Sequence, residues 1–155
     1  MLDFQTKLHG ESQTLACAKE LAASLDEQLK IYFSGEIGAG KSCFIRALLK
    51  NLGVGHKIKS PTFSIIETYH VDERIFVHAD LYRIADEEEL NYLGLDDYER
   101  DDAMFLIEWA EKAPGLPKPD LQINLFSVDF GQNRNISIQS MSKAGEKVLS
   151  RFLEN

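Results

Sequence analysis

Cysteine is scarce in this sequence: Cys17 and Cys43 are the only two among 155 residues. Two are too few for a disulfide framework or a cysteine-based zinc site, so both read as reduced thiols of a cytoplasmic protein. Positive charge is also in short supply. Lys and Arg number 17 against 25 Asp and Glu, a formal net charge of −8. A chain that grips nucleic acid unaided carries the opposite balance, so direct DNA or RNA capture is disfavoured, though contact through a basic partner is not. No apolar stretch approaches the ~18 residues of a membrane span. The segment Met1–Gly10 lacks the basic start and apolar run of a secretory leader. Repeats and low-complexity segments are missing too. What is left is an ordinary globular composition, 44% hydrophobic and 27% charged, at a length that suits a single domain over 1–155.

The apolar pattern predicts an α/β fold. Ser12 to about Gln28 reads as a helix capped by Ser12, with Leu15, Ala18, Ala22 and Leu25 on one face and Leu21 widening it. A short β-rich run, Lys30–Ser34, stops at Gly35. From Lys41 to Leu52 the residues Phe44, Ile45, Leu48, Leu49 and Leu52 recur at helical spacing, and Gly53 suits the left-handed position just past a helix end. Ser64–Tyr69 and Ile75–Ala79, joined by the polar Val71–Arg74, predict a hairpin. Asp86–Leu90 opens a short helix with carboxylates at its start. Ala103–Ile107 is a continuous apolar run, the pattern of a strand covered on both faces, and it ends at Glu108. After a loop holding Pro114, Gly115, Pro117 and Pro119 come two strands, Leu121–Val128 and Asn135–Ser140, and a helix, Lys143–Leu153. The expected sheet is mixed: parallel at its centre, antiparallel elsewhere.

Between the first predicted strand and the helix at Lys41 lies Gly35-Glu-Ile-Gly-Ala-Gly-Lys-Ser42, a complete G-x-x-x-x-G-K-[ST] phosphate loop, or Walker A motif. Phosphates require several inward backbone N–H groups, and small residues let the chain wrap closely. The helix that follows adds its positive dipole end. Lys41 is placed to reach the β- and γ-phosphates of a nucleotide, and the Ser42 hydroxyl to ligate Mg²⁺. Such a site also needs a carboxylate at the end of a buried strand, which Glu108 supplies. Trp109, the sole tryptophan, either packs near the nucleotide or anchors the core. Asp80 ends a predicted strand, where an acid positions a water or metal or simply closes the strand. His78 shares its strand face, but two ligands do not make a metal site. Asp96, Asp97, Asp101 and Asp102 lack the spacing of a calcium loop and read as a solvated acidic segment.

Four segments, the phosphate loop, Lys59-Ser-Pro-Thr-Phe63, Asp80-Leu-Tyr-Arg83 and Ile107-Glu-Trp109, resemble in order and separation the TsaE (YjeE) family of bacterial P-loop ATPases. The resemblance runs from Glu11-Ser-Gln-Thr14 to the final helix. It implies a P-loop NTPase-like three-layer sandwich and a Mg²⁺-dependent ATPase in tRNA threonylcarbamoyladenosine synthesis. It also implies work with the partner proteins TsaB and TsaD, tRNA being met only through that complex, with the isolated chain monomeric and away from membranes. By the same resemblance Gly35, Glu36, Ile37, Gly38, Ala39, Gly40, Lys41, Ser42 and Cys43 hold the phosphates of ATP. Ser42 and Glu108 hold Mg²⁺, and Lys41, Asp80 and Glu108 serve catalysis. Thr62 belongs to a phosphate-sensing switch, Trp109 lies close to the nucleotide, and Glu11 and Thr14 lie near the base. The family loop usually reads G-D-L-G-A-G-K-T-T. Glu36 and Ser42 keep that chemistry, whereas Cys43 is a poor substitute for a hydroxyl. Two other readings of the motif are a small-molecule kinase, which the acidic Asp86–Glu99 region disfavours as a lid, and a nucleotide-gated interaction module with little turnover.

Overall fold

The structure is a computed structural model that describes residues 1–25, 28–55 and 57–155. Its centre is a seven-stranded mixed sheet: β1 (Asp3–His9), β2 (Lys30–Ser34), β3 (Ile66–Val71), β4 (Arg74–Asp80), β5 (Met104–Glu108), β6 (Leu121–Val128) and β7 (Asn133–Ser140). Their spatial order is β1-β7-β6-β2-β5-β4-β3. The strands β6, β2, β5 and β4 run parallel to one another, while β3, β7 and β1 join antiparallel at the two ends. This is the predicted mixed sheet.

Alternation along the strands feeds two apolar cores, one on each face. On one face Ile31, Phe33, Phe76 and Leu106 pack under three helices, α1 (Gly10–Ser24), α2 (Lys41–Asn51) and α5 (Lys143–Glu154). The rings of Phe33 and Phe44 lie 6.1 Å apart at their centroids. On the other face Tyr32, Val77, Ala79, Phe105 and Ile107 lie under shorter elements, which include α3 (Glu88–Tyr92) and α4 (Leu95–Arg100). The helix α2 ends as predicted. Gly53 has φ +108°, its N–H donates to the Lys50 carbonyl and that of Val54 to Leu49, which satisfies two otherwise orphaned acceptors.

The start of the chain departs from expectation. Asp3–His9 forms an edge strand against β7 where no element is predicted, because its mostly polar and exposed residues give no apolar run. The first helix consequently begins at Gly10, with His9 and not Ser12 at its cap position. The Gln13 side chain accepts from the His9 N–H at 2.8 Å, and Asn133 Oδ1 accepts from the Gly10 N–H at 3.1 Å. Leu15 is 40% exposed and lies off the buried stripe, which Thr14, Cys17, Ala18, Leu21 and Ala22 form instead. The helix ends at Ser24, short of the expected Gln28; positions 26 and 27 of that expectation lie outside the described residues. Glu108 is the last residue of β5 and so belongs to the strand.

Candidate nucleotide site

Three parallel strands end along one edge of the sheet, and each delivers a polar group there. The Gly35–Ser42 loop leaves β2 and turns into α2, β4 ends on Asp80, and β5 ends on Glu108. Asp80 and Glu108 are direct neighbours in the β4–β5 register, and Glu108 is paired with Phe33 of β2. Open α/β sheets bind their ligands in this place, outside the carboxyl ends of parallel strands where chain connections diverge to either side. Here the divergence is at β2, with β5 on one flank and β6 on the other.

The loop takes its shape from glycine. Gly38 and Gly40 have φ of +83° and +98°, a region costly to residues with a Cβ. Gly35 is constrained differently: a Cβ on it would collide with the Leu125 carbonyl oxygen of β6. Gly35 therefore lies behind the site and lines no part of the cleft, whereas Glu36, Ile37, Gly38, Ala39, Gly40, Lys41, Ser42 and Cys43 all do. Thr62, Asp80, Tyr82, Arg83, Glu108 and Trp109 complete this cleft of about 430 Å³. Thr62 Oγ1 shares a hydrogen bond of 2.7 Å with Ser60 Oγ.

Lys41 is only 6% exposed. Its ammonium donates to the carbonyls of Gly35 and Glu36 and lies 4.6 Å from the centroid of the Trp109 ring. Burial holds this lysine below its ordinary range, opposed by the carboxylates of Glu108, Asp80, Glu111 and Glu36. Trp109 reaches that position through a left-handed backbone, φ +59°, and its ring packs 4.9 Å from that of Tyr82. A non-glycine residue held there costs on the order of 1–3 kcal/mol, and such strain concentrates at functional sites.

Glu108 is 2% exposed, a buried carboxylate at the floor of the cleft. Its Oε2 lies 2.8 Å from Nε2 of His78, and its Oε1 accepts from Ser42 Oγ at 3.4 Å. Hydroxyl and carboxylate oxygens are hard donors. Two of them facing a phosphate loop suit Mg²⁺, which keeps several waters and takes its remaining ligands from phosphate. The donor set therefore fits that ion. Among the described residues no group of three or more His, Cys, Asp and Glu could hold a metal by itself. Asp80 caps the turn Leu81–Arg83, its Oδ1 accepting from the Tyr82 N–H at 3.1 Å. Burial raises its carboxyl above the ordinary value, and the neighbouring Glu108 adds to the effect.

Glu11 and Thr14 do not line this cleft. They belong to an adjoining one of about 360 Å³, formed with Gly10, Gly131, Gln132 and Arg134, and the two clefts share Gly40 and Cys43. The Thr14 hydroxyl is buried and donates to the Gly10 carbonyl at 3.4 Å. Arg134, absent from the sequence reading, is held by the carbonyls of Gly131 and Asn133 at 2.8 and 3.0 Å. No local motif marks it; the β6–β7 turn alone brings it to the loop. Tyr82, which lines the cleft, and His78, which meets Glu108, carry no local signal of a place in the site either.

The family model "Threonylcarbamoyl adenosine biosynthesis protein TsaE" matches residues 8–136. A tRNA threonylcarbamoyladenosine biosynthesis protein TsaE from Haemophilus influenzae is 37% identical over 128 residues, covering 82% of this chain and 80% of its own. The protein of the same name from Bacillus subtilis is 38% identical over 112 residues, covering 72% of this chain and 70% of its own. The crystal structure of YdiB from Bacillus subtilis superposes with a TM-score of 0.78 at 26% identity, covering 99% of this chain and 95% of that one.

Proposed function

Because this chain belongs to the TsaE family, we propose that it binds and hydrolyses ATP with Mg²⁺ in tRNA threonylcarbamoyladenosine synthesis, acting on a complex of TsaB and TsaD in the cytoplasm. The observation that carries the reading is the complete phosphate loop at the carboxyl edge of the sheet, with Ser42 Oγ facing Glu108 Oε1 at 3.4 Å. In this reading the backbone N–H groups of the loop and the start of α2 bind phosphate oxygens. Lys41 turns its ammonium from the Gly35 and Glu36 carbonyls to the β- and γ-phosphates. Ser42 and Glu108 would hold Mg²⁺, whose contribution when bound would be to neutralise phosphate charge. Asp80, beside Glu108, orients the attacking water. Glu11, Thr14 and Arg134 line the adjoining space, which has room for the nucleoside. The α3–α4 region carries exposed Glu88, Asp96, Asp97 and Glu99, a charge that does not suit a lid over a transferring phosphate.

Two measurements test this. ATP at ~100 times its dissociation constant stabilises a folded protein by about 2.7 kcal/mol, and Lys41→Ala is expected to abolish that thermal shift. In multiple-turnover threonylcarbamoyl transfer to tRNA with TsaB and TsaD, the wild type is expected to sustain product formation and Lys41→Ala to match reactions without the chain. Equal product in all three reactions would remove the tRNA-modification role.

A further inference from the structure

Resting on the metal role just assigned to Glu108, we propose that His78 is a positioning residue: its Nε2–H fixes the Glu108 carboxylate so that Oε1 faces Ser42 and the metal.

Histidine is an odd choice for its place in the fold. His78 is in β4 between the buried Val77 and Ala79, and it is itself 3% exposed. Through the register it stands beside Leu106, two residues before Glu108 on β5. Side chains alternate along a strand, so His78, Asp80, Leu106 and Glu108 share one sheet face, the one that carries α2. An apolar side chain would fill that position in the core without any polar cost.

The hydrogen bonding explains the histidine. A carboxylate only accepts, so the bond of 2.8 Å between Nε2 and Oε2 places the proton on Nε2. The other ring nitrogen, Nδ1, is buried and has no hydrogen-bond partner among the described residues. The imidazole is thus held for one polar contact, and that contact is Glu108. With Oε2 tied down, rotation of the carboxylate is blocked. Oε1 is left 3.4 Å from Ser42 Oγ. Outer partners of this kind orient metal-binding groups, and their loss typically weakens metal affinity ~10–100-fold.

The test compares His78→Gln with His78→Met. The two replacements are similar in length and volume, and only glutamine can donate a hydrogen bond where Nε2 stood. Binding of Mn²⁺ to the protein–ADP complex is followed by electron paramagnetic resonance, and metal-free ADP binding is measured alongside. His78→Met is expected to lose about tenfold or more in Mn²⁺ affinity with metal-free ADP binding unchanged, and His78→Gln to recover most of that loss. Wild-type Mn²⁺ affinity in both variants, or equal weakening in both, would overturn the positioning role while leaving the Glu108 assignment in place. A wild-type complex indifferent to the metal would overturn both.

Discussion

Asp80 illustrates how much the site costs the residues that form it. Its carboxyl is raised above the ordinary value of 3.8 by burial, with Glu108 alongside. A group whose folded value lies above its unfolded one gives stability that is present below the unfolded value and lost as pH rises through the folded value. At neutral pH, ionised Asp80 therefore works against folding. Asp80→Asn keeps an oxygen to accept from Tyr82, so the variant is expected to melt at a higher temperature than wild type at pH 7. Its advantage should vanish below about pH 3.8. Hydrolysis should fall by ~10²–10⁴-fold if the carboxylate handles the water's proton. Melting curves across pH, paired with phosphate release, check both halves. Such residues were only partly legible in the sequence. Lys41, Ser42 and Glu108 announce themselves because a loop motif and an apolar strand end are local signals. Arg134 does not, since its place beside the loop depends on a turn between strands far along the chain.

At the scale of elements, close approach decides what substitution is tolerated. The helix α5 starts at Ser142, whose Oγ accepts from the Gly145 N–H at 3.0 Å and donates to Asp120 Oδ1 at 2.7 Å. Asp120 Oδ2 in turn accepts from the Lys30 N–H at the start of β2. One carboxylate thus ties α5 to the central strand. Gly145 is there for room: a Cβ would run into the Asp120 carbonyl, which is backbone and cannot step aside. Gly145→Ala is expected to cost about 3 kcal/mol, the upper end for overpacking. At this chain length that is roughly 6–12 °C in Tm, readable by calorimetry, with ADP affinity preserved in the folded fraction. The helix α5 was legible because its apolar residues recur at helical spacing. The strand β1 was not, because only Leu8 is buried and Phe4 half-buried against the core, while its other five residues are exposed and polar. An edge strand is specified by its partner's free backbone groups as much as by its own side chains.

For the molecule as a whole, the arginines matter as much as the net charge. Arg83 lines the cleft, but its guanidinium lies 4.8 Å from the centroid of the Phe63 ring, which is 83% exposed. Arg134 is held by carbonyls in the adjoining space. Arg83 is turned to Phe63, and Arg134 sits beside Gly40 on the adjoining cleft and does not line the main one. A P-loop protein whose arginine does not reach the transferring phosphate hydrolyses slowly until a partner supplies one, worth ~10³–10⁵ in rate. Steady-state phosphate release by the isolated chain should accordingly be slow and rise sharply with TsaB and TsaD present. The pairing of β1 with β7 has a further consequence, in the order of manufacture. The ribosome delivers residues 3–9 well before their hydrogen-bonding partners at 133–139. The strand β1 must wait, without its sheet partner, until β7 has emerged. The Gly10 N–H that depends on Asn133 waits with it, so the phosphate loop is synthesised long before the wall beside it can be built.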